Sequence, residues 1–256
     1  MDLLEHNRNA WNKMVEERNK WTIPVEKSLI EEARKGRFSI LLTPTIPVPD
    51  DWFPQIKGKN LLCLASGGGQ QGPLLSAAGA KVTVFDNSLA QLEQDRCVAK
   101  RDNLAITTIQ GDMRDLSVFK DESFDLIVHP VSNCFIDDVI SVWQECYRVL
   151  KKGGALLAGL CNPLTYIFDF EEWDNHNKLV VRYKIPYSDL EQLPPDQLKT
   201  RIATNDTLEF GHTLDDLIGG QIKAGFMITG FYEDSAGGDL LDPYIKTFIA
   251  TRSIKP

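Results

Sequence analysis

Thirteen residues, Asn60 to Gly72, constrain this chain more than any other stretch. Asn60-Leu-Leu-Cys-Leu64 is a short apolar run of buried-strand character, and it stops abruptly at Ala65-Ser66-Gly67-Gly68-Gly69. Pro73 suits a first helical turn, and Leu74, Leu75, Ala77 and Ala78 supply an apolar face, so a helix is expected at once. A second strand over 81–85 then ends on Asp86. Small residues in a row let a backbone approach a ligand closely. An acid closing the next strand can accept the two hydroxyl hydrogen bonds of a ribose.

Beyond this unit the pattern alternates. Ser88 and Gln91 form a capping-box pair that opens a helix to about Lys100, and strands are expected over 105–109 and 124–128. Val139, Val142, Trp143, Cys146, Val149 and Leu150 mark a helical stripe, stopped by Gly153-Gly154 and followed by a strand over 155–160. Strands alternating with helices predict an α/β fold, a doubly wound and mostly parallel sheet covered on both faces. After a helix over 214–224, strands over 226–232 and 244–251 have no helix between them, so they predict a terminal antiparallel hairpin. Upstream, Leu4, Trp11, Met14 and Val15, then Val25, Leu29, Ile30 and Ala33, predict two helices. Pro44, Pro47, Pro49 and Pro54 make the following segment an extended connector.

Charge and cysteine usage narrow the function classes. With 28 basic and 36 acidic residues the net charge is −8, which disfavours nucleic acid as a partner and leaves small molecules as the expected one. The five cysteines lack a Cys-x-x-Cys spacing, and the four histidines are scattered, so no metal site is expected. Neither a leader pattern nor an apolar run of membrane length is present, and the chain reads as soluble, reduced and cytoplasmic, with no membrane partner.

A glycine loop after the first strand, an acid ending the second, Gly111-Asp112-Met113 after the third, and a closing antiparallel hairpin resemble the class I S-adenosylmethionine-dependent methyltransferases. The strings Cys-Leu-Ala-Ser-Gly-Gly-Gly-Gln-Gln, Gly-Asp-Met-Arg-Asp-Leu and His-Pro-Val-Ser-Asn-Cys resemble an uncharacterised bacterial subgroup. Two positions depart from the wider pattern: Cys63 stands where such enzymes carry an acid, and Ala65 where they carry the first glycine. The resemblance implies a single seven-stranded domain over 1–256. Within it lie N-terminal helices and connector (1–54), a cofactor-binding core (55–162), an insertion (163–211), and the last helix with the hairpin (212–256).

It also implies S-adenosylmethionine as methyl donor and a role for each matching residue. Ala65, Ser66, Gly67, Gly69, Gln70 and Gln71 would meet its methionine part, Asp86 and Asn87 its ribose, and Gly111, Asp112 and Met113 its adenine. His129 and Pro130 would border the sulfonium, His129 either as a general base or as part of the pocket wall. Trp11, Trp21, Asn133 and Tyr166 are expected at the acceptor, although Trp11 and Trp21 equally suit a helix core. The 49-residue insertion carries seven aromatics, enough for an acceptor pocket or lid, or for a small packed unit. A nicotinamide-dependent oxidoreductase fits the acid 19 residues after Gly67, and a non-catalytic cofactor-binding protein is the third reading.

Overall fold

A computed structural model describes residues 1–53 and 55–256. Pro54, the last of the connector's four prolines, lies outside the described residues. Seven strands form one sheet: β1 (Asn60–Leu64), β2 (Lys81–Asp86), β3 (Ile106–Gln110), β4 (Phe124–His129), β5 (Leu150–Cys161), β8 (Met227–Asp234) and β9 (Phe248–Ile254). Their order is β3-β2-β1-β4-β5-β9-β8. The first five run parallel, whereas β9 is antiparallel to both β5 and β8, which is the terminal hairpin expected from the missing crossover. β6 (Tyr187–Ser188) and β7 (Phe210–Gly211) pair separately inside the insertion.

The pleat sends alternate side chains to opposite faces, and β1 displays this directly. Leu61 and Cys63 join Val82, Val84, Leu126 and Leu157 against Leu75, Leu92 and Val98. These come from α3 (Gln71–Ala77) and α4 (Leu89–Asp102), with α2 (Lys27–Arg34) adding Ile30. Leu62 and Leu64 face the other way, onto Val142, Trp143 and Cys146 of α5 (Val139–Val149) and onto Leu217 and Phe226. Apolar burial on both faces accounts for the near-continuous hydrophobic strands. The N-terminal α1 (Leu3–Glu16) stands apart from these layers and packs on α4.

The expected stop of α5 at Gly153-Gly154 is wrong in detail. The helix ends at Val149, Leu150 turns extended, and β5 already contains the glycine pair. Gly153 sits at φ 75°, near the irregularity that shifts register between Phe124 and Leu126 of β4. The last helix also differs, being a π-turn over Asp215–Gly219 followed by α-helix over Gly220–Ala224.

The proline-rich connector crosses the carboxyl ends of the strands instead of running along the surface. Val131 N–H donates to Leu42 O at 3.0 Å, and a Cβ built on Gly159 of β5 would lie 2.1 Å from that same oxygen. Only a residue without a side chain lets the two backbones meet there. Gly159→Ala should therefore destabilise the fold by about 1–3 kcal/mol. Urea unfolding checks it, and an unchanged midpoint would mean that the connector is not seated on β5.

Candidate functional site

The loop after β1 is held by carboxylates on both sides. Ala65 N–H donates to Phe85 O at 2.7 Å, tying the loop to the end of β2. Gly67 N–H donates to Asp86 Oδ2 at 2.9 Å, and Ser88 N–H donates to Asp86 Oδ1 at 2.8 Å. Burial pushes the Asp86 carboxyl up from its ordinary range, opposed by those backbone donors. Ala65 adopts φ 45°, the left-handed backbone that glycine takes without penalty and alanine does not. A Cβ on Gly67 would sit 2.7 Å from Gln91 Cβ and 3.1 Å from Asp86 Oδ2, so no side chain fits at that position.

Beneath the loop lies Asp95 of α4, fully buried. Its Oδ2 accepts from Gly68 N–H at 3.1 Å, while Oδ1 has no partner. Burial, reinforced by the Asp86 charge, pushes its carboxyl up to about 8. The unfolded chain releases that proton near pH 3.9, so the fold loses stability as pH rises from about 4 to about 8. Asp95→Asn keeps an acceptor for Gly68 and removes the titration. Its melting temperature should vary less between pH 5 and 8.5 than that of the parent, and thermal unfolding at the two pH values measures this.

Above the loop opens a cavity of about 270 Å³. Thirteen of the expected residues line it: Ala65, Ser66, Gly67, Gln70, Gln71, Asp86, Asn87, Gly111, Asp112, Met113, Pro130, Trp11 and Trp21. The topology gives the cavity two ends. Asp86 closes β2 and Gly111-Asp112-Met113 follows β3, placing the acids at one side of the sheet. Pro130 and Val131 follow β4, and Phe248 opens β9 opposite Cys161, the last residue of β5. These residues, with Leu41, Leu42 and Pro44 of the connector, make the other end.

Within the acidic end, Arg114 holds the Asp112 carboxylate through Nε, at 3.1 and 2.9 Å, and through a terminal nitrogen at 2.7 Å. The same guanidinium also bonds Asp137. Asn87 donates to Leu4 O at 2.8 Å and accepts from Arg8 Nε at 3.0 Å, so its side chain fastens α1 across the cavity.

Four expected residues are not brought to the cavity wall. Gly69 packs against Gln94 and Pro24. Tyr166 is buried in the insertion, where its hydroxyl donates to Glu209 at 2.8 Å and its ring stacks on Tyr187. His129 has no exposed surface. Its Nδ1–H donates to Leu64 O at 2.9 Å, and Nε2 faces the Asn133 amide nitrogen at 3.2 Å, which accounts for both residues. Burial lowers the imidazole's pKa, so the neutral ring bridges the end of β1 to the turn after β4 and does not reach an acceptor. An NMR titration should find His129 neutral at pH 7, with no inflection between pH 7 and 8.

Sequence reasoning missed the wall built by Leu3, Leu4 and Asn7 of α1, the connector residues, and Phe135 and Ile136. Leu4 at helical spacing was a usable signal; the connector offered none. No segment between 163 and 211 lines the cavity. Among the described residues no cluster of His, Cys, Asp or Glu suits a metal, and no helix is long and apolar enough to cross a membrane.

Residues 62–158 match the family model described as a methyltransferase domain. Over 253 residues the chain is 57% identical to the uncharacterized methyltransferase YbaJ of Bacillus subtilis (strain 168), covering 99% of this chain and 98% of that protein. It is 31% identical over 109 residues to a ubiquinone biosynthesis O-methyltransferase of Actinobacillus pleuropneumoniae, covering 41% of this chain and 47% of that one. A solved S-adenosylmethionine-dependent methyltransferase from Mesorhizobium loti has the same fold, with TM-score 0.61 and 18% identity over 80% of this chain and 94% of its own. A counterpart from Listeria monocytogenes, also 18% identical over the same shares, reaches a TM-score of 0.64.

Proposed function

The chain belongs to the class I S-adenosylmethionine-dependent methyltransferases, and from that premise we propose that it methylates a small molecule held in the cavity over β1. The observation carrying the reading is that the cavity joins a ribose-type acid and a loop of small residues at one end to a mainly apolar chamber at the other. The residues fit the donor. Ser66 Oγ and Gln91 Oε1 are buried on the cavity wall without hydrogen-bond partners.

In this reading Asp86 accepts the ribose hydroxyls, and Met113 with Gly111 packs on the adenine. The Asp112–Arg114 pair caps that end, the guanidinium's hold on the carboxylate raising the Arg114 pKa. The glycine loop meets the methionine part. When bound, the donor supplies a methyl group on a cationic sulfonium, transferred by direct displacement. The protein's contribution is alignment and exclusion of water, which can carry much of such a rate. His129 fixes the Leu64 carbonyl and the Asn133 side chain instead of moving a proton.

The insertion is read as a brace, not as the acceptor pocket that its length suggested. His6 bonds Asp206 O at 2.8 Å, and Asn7 exchanges two bonds with Leu208, at 3.0 and 2.8 Å. These contacts hold α1, and with it Leu3, Leu4 and Trp11, over the cavity. Nothing in the geometry favours the nicotinamide-dependent or the non-catalytic reading.

Calorimetry should find binding of S-adenosylhomocysteine and none of NAD. Asp86→Asn, which keeps an acceptor for Gly67 but lacks the charge, should weaken the interaction by about 1.5–3 kcal/mol, or roughly 10- to 150-fold. Unchanged affinity would move the ribose elsewhere. Saturable NAD binding with no binding of S-adenosylhomocysteine would overturn the reading.

A further inference from the structure

We propose that the acceptor is an apolar molecule carrying an acidic S–H or O–H, a thiol or a phenol, which enters the reaction already ionised. This rests on the methyltransferase reading above and concerns the mainly apolar cavity end formed by Leu41, Leu42, Thr43, Pro44, Val131 and Phe248.

The chemistry follows from what lines the cavity. Its titratable side chains are Asp86, Asp112 and Arg114, all three at the adenosine end. The Arg114 guanidinium is committed to Asp112 and Asp137. His129, the last residue of β4, is sealed behind Leu64 and Asn133. His212 is buried too, its Nε2 against Asn133 O at 3.0 Å, and it does not line the cavity. Tyr166 is turned into the insertion toward Glu209. A nucleophile that had to surrender a proton inside this chamber would find no side chain to take it.

The apolar end also discriminates by charge. A neutral amine acceptor would become a cation on methylation, and that charge would stand among Leu41, Leu42, Pro44 and Val131 without a counter-ion, an expensive arrangement. An anionic acceptor behaves oppositely. Its proton has already gone to bulk water; its lone pair forms the new bond to the methyl carbon as the methyl–sulfur bond breaks, and that electron pair remains on sulfur. One positive and one negative charge cancel, both products are neutral, and no proton remains to be removed. A low-dielectric chamber favours that cancellation.

One feature of the wall opposes this: Phe248, with Trp21 near the glycine loop, offers aromatic faces on which a quaternary ammonium could settle. The closing experiment therefore includes such a cation. Protein saturated with S-adenosylhomocysteine is titrated calorimetrically with thioanisole, anisole and the trimethylphenylammonium ion. The two neutral ethers should bind at least about tenfold more tightly than the cation. Methyl transfer to an aryl thiol and to a phenol is then followed against pH with labelled donor. The midpoints should track each acceptor's own ionisation, about 10 for the phenol and well below that for the more acidic aryl thiol.

Binding of the cation as tight as that of the ethers overturns the proposal, and so does a single midpoint shared by both acceptors, which would belong to a group on the protein. Transfer to neither acceptor, while S-adenosylhomocysteine binds, overturns the acceptor class and leaves the methyltransferase reading standing. Failure to bind S-adenosylhomocysteine overturns both.

Discussion

The Asp86 carboxylate is the point at which the local structure of two successive βα units is joined. One oxygen accepts from Gly67 in the loop after β1, the other from Ser88 at the start of α4. Gly67 can approach that closely because it has no side chain, and Ser88 in turn caps the helix by accepting from Gln91 N–H at 3.1 Å. The carboxylate thus fixes the loop's backbone and the first turn of α4, and its edge still lines the cavity. Remove the carboxylate altogether and both the loop and the first turn of α4 lose a shared acceptor.

Around that clamp the chain tolerates two costs. Ala65 holds a left-handed backbone that glycine would adopt freely, a penalty of roughly 1 kcal/mol or more. Asp95 is buried with an unpartnered oxygen, and burial keeps it largely protonated at neutral pH. Cys63, at the strand position where an acid is usual in such enzymes, packs as a buried hydrophobe, and the same burial pushes its thiol far above the ordinary range. Unfavourable local states concentrated around one loop are the pattern expected where a backbone is held for a ligand.

How legible this was from the residues depended on the range of the interaction. β1, β2, the loop and the Ser88 cap are local, and apolar runs, glycines and a capping pair announce them. The sheet's antiparallel finish followed from the absence of a helix between two strands. Gly153-Gly154 misled because glycine marks helix ends and strand irregularities alike. The insertion was ambiguous for another reason: its aromatics suit a pocket and a packed unit alike, and Tyr166, Phe170, Tyr183 and Tyr187 pack on one another in a cluster of their own. The connector over 41–44 was invisible as a cavity wall, since proline-rich sequence has no periodicity and its seat on Gly159 lies more than a hundred residues away in the chain.

The central claim is the polarity of the cavity: adenosine toward the acids at β2 and β3, the reacting sulfur toward Pro130 and Val131, and the apolar end left for the acceptor. A crystal structure of the protein with S-adenosylhomocysteine tests it most directly. The account predicts ribose hydroxyls bonded to Asp86, adenine beside Met113, and the thioether facing the connector. An adenosine lodged between Leu42 and Phe248, with Asp86 contacting only Gly67 and Ser88, would contradict it.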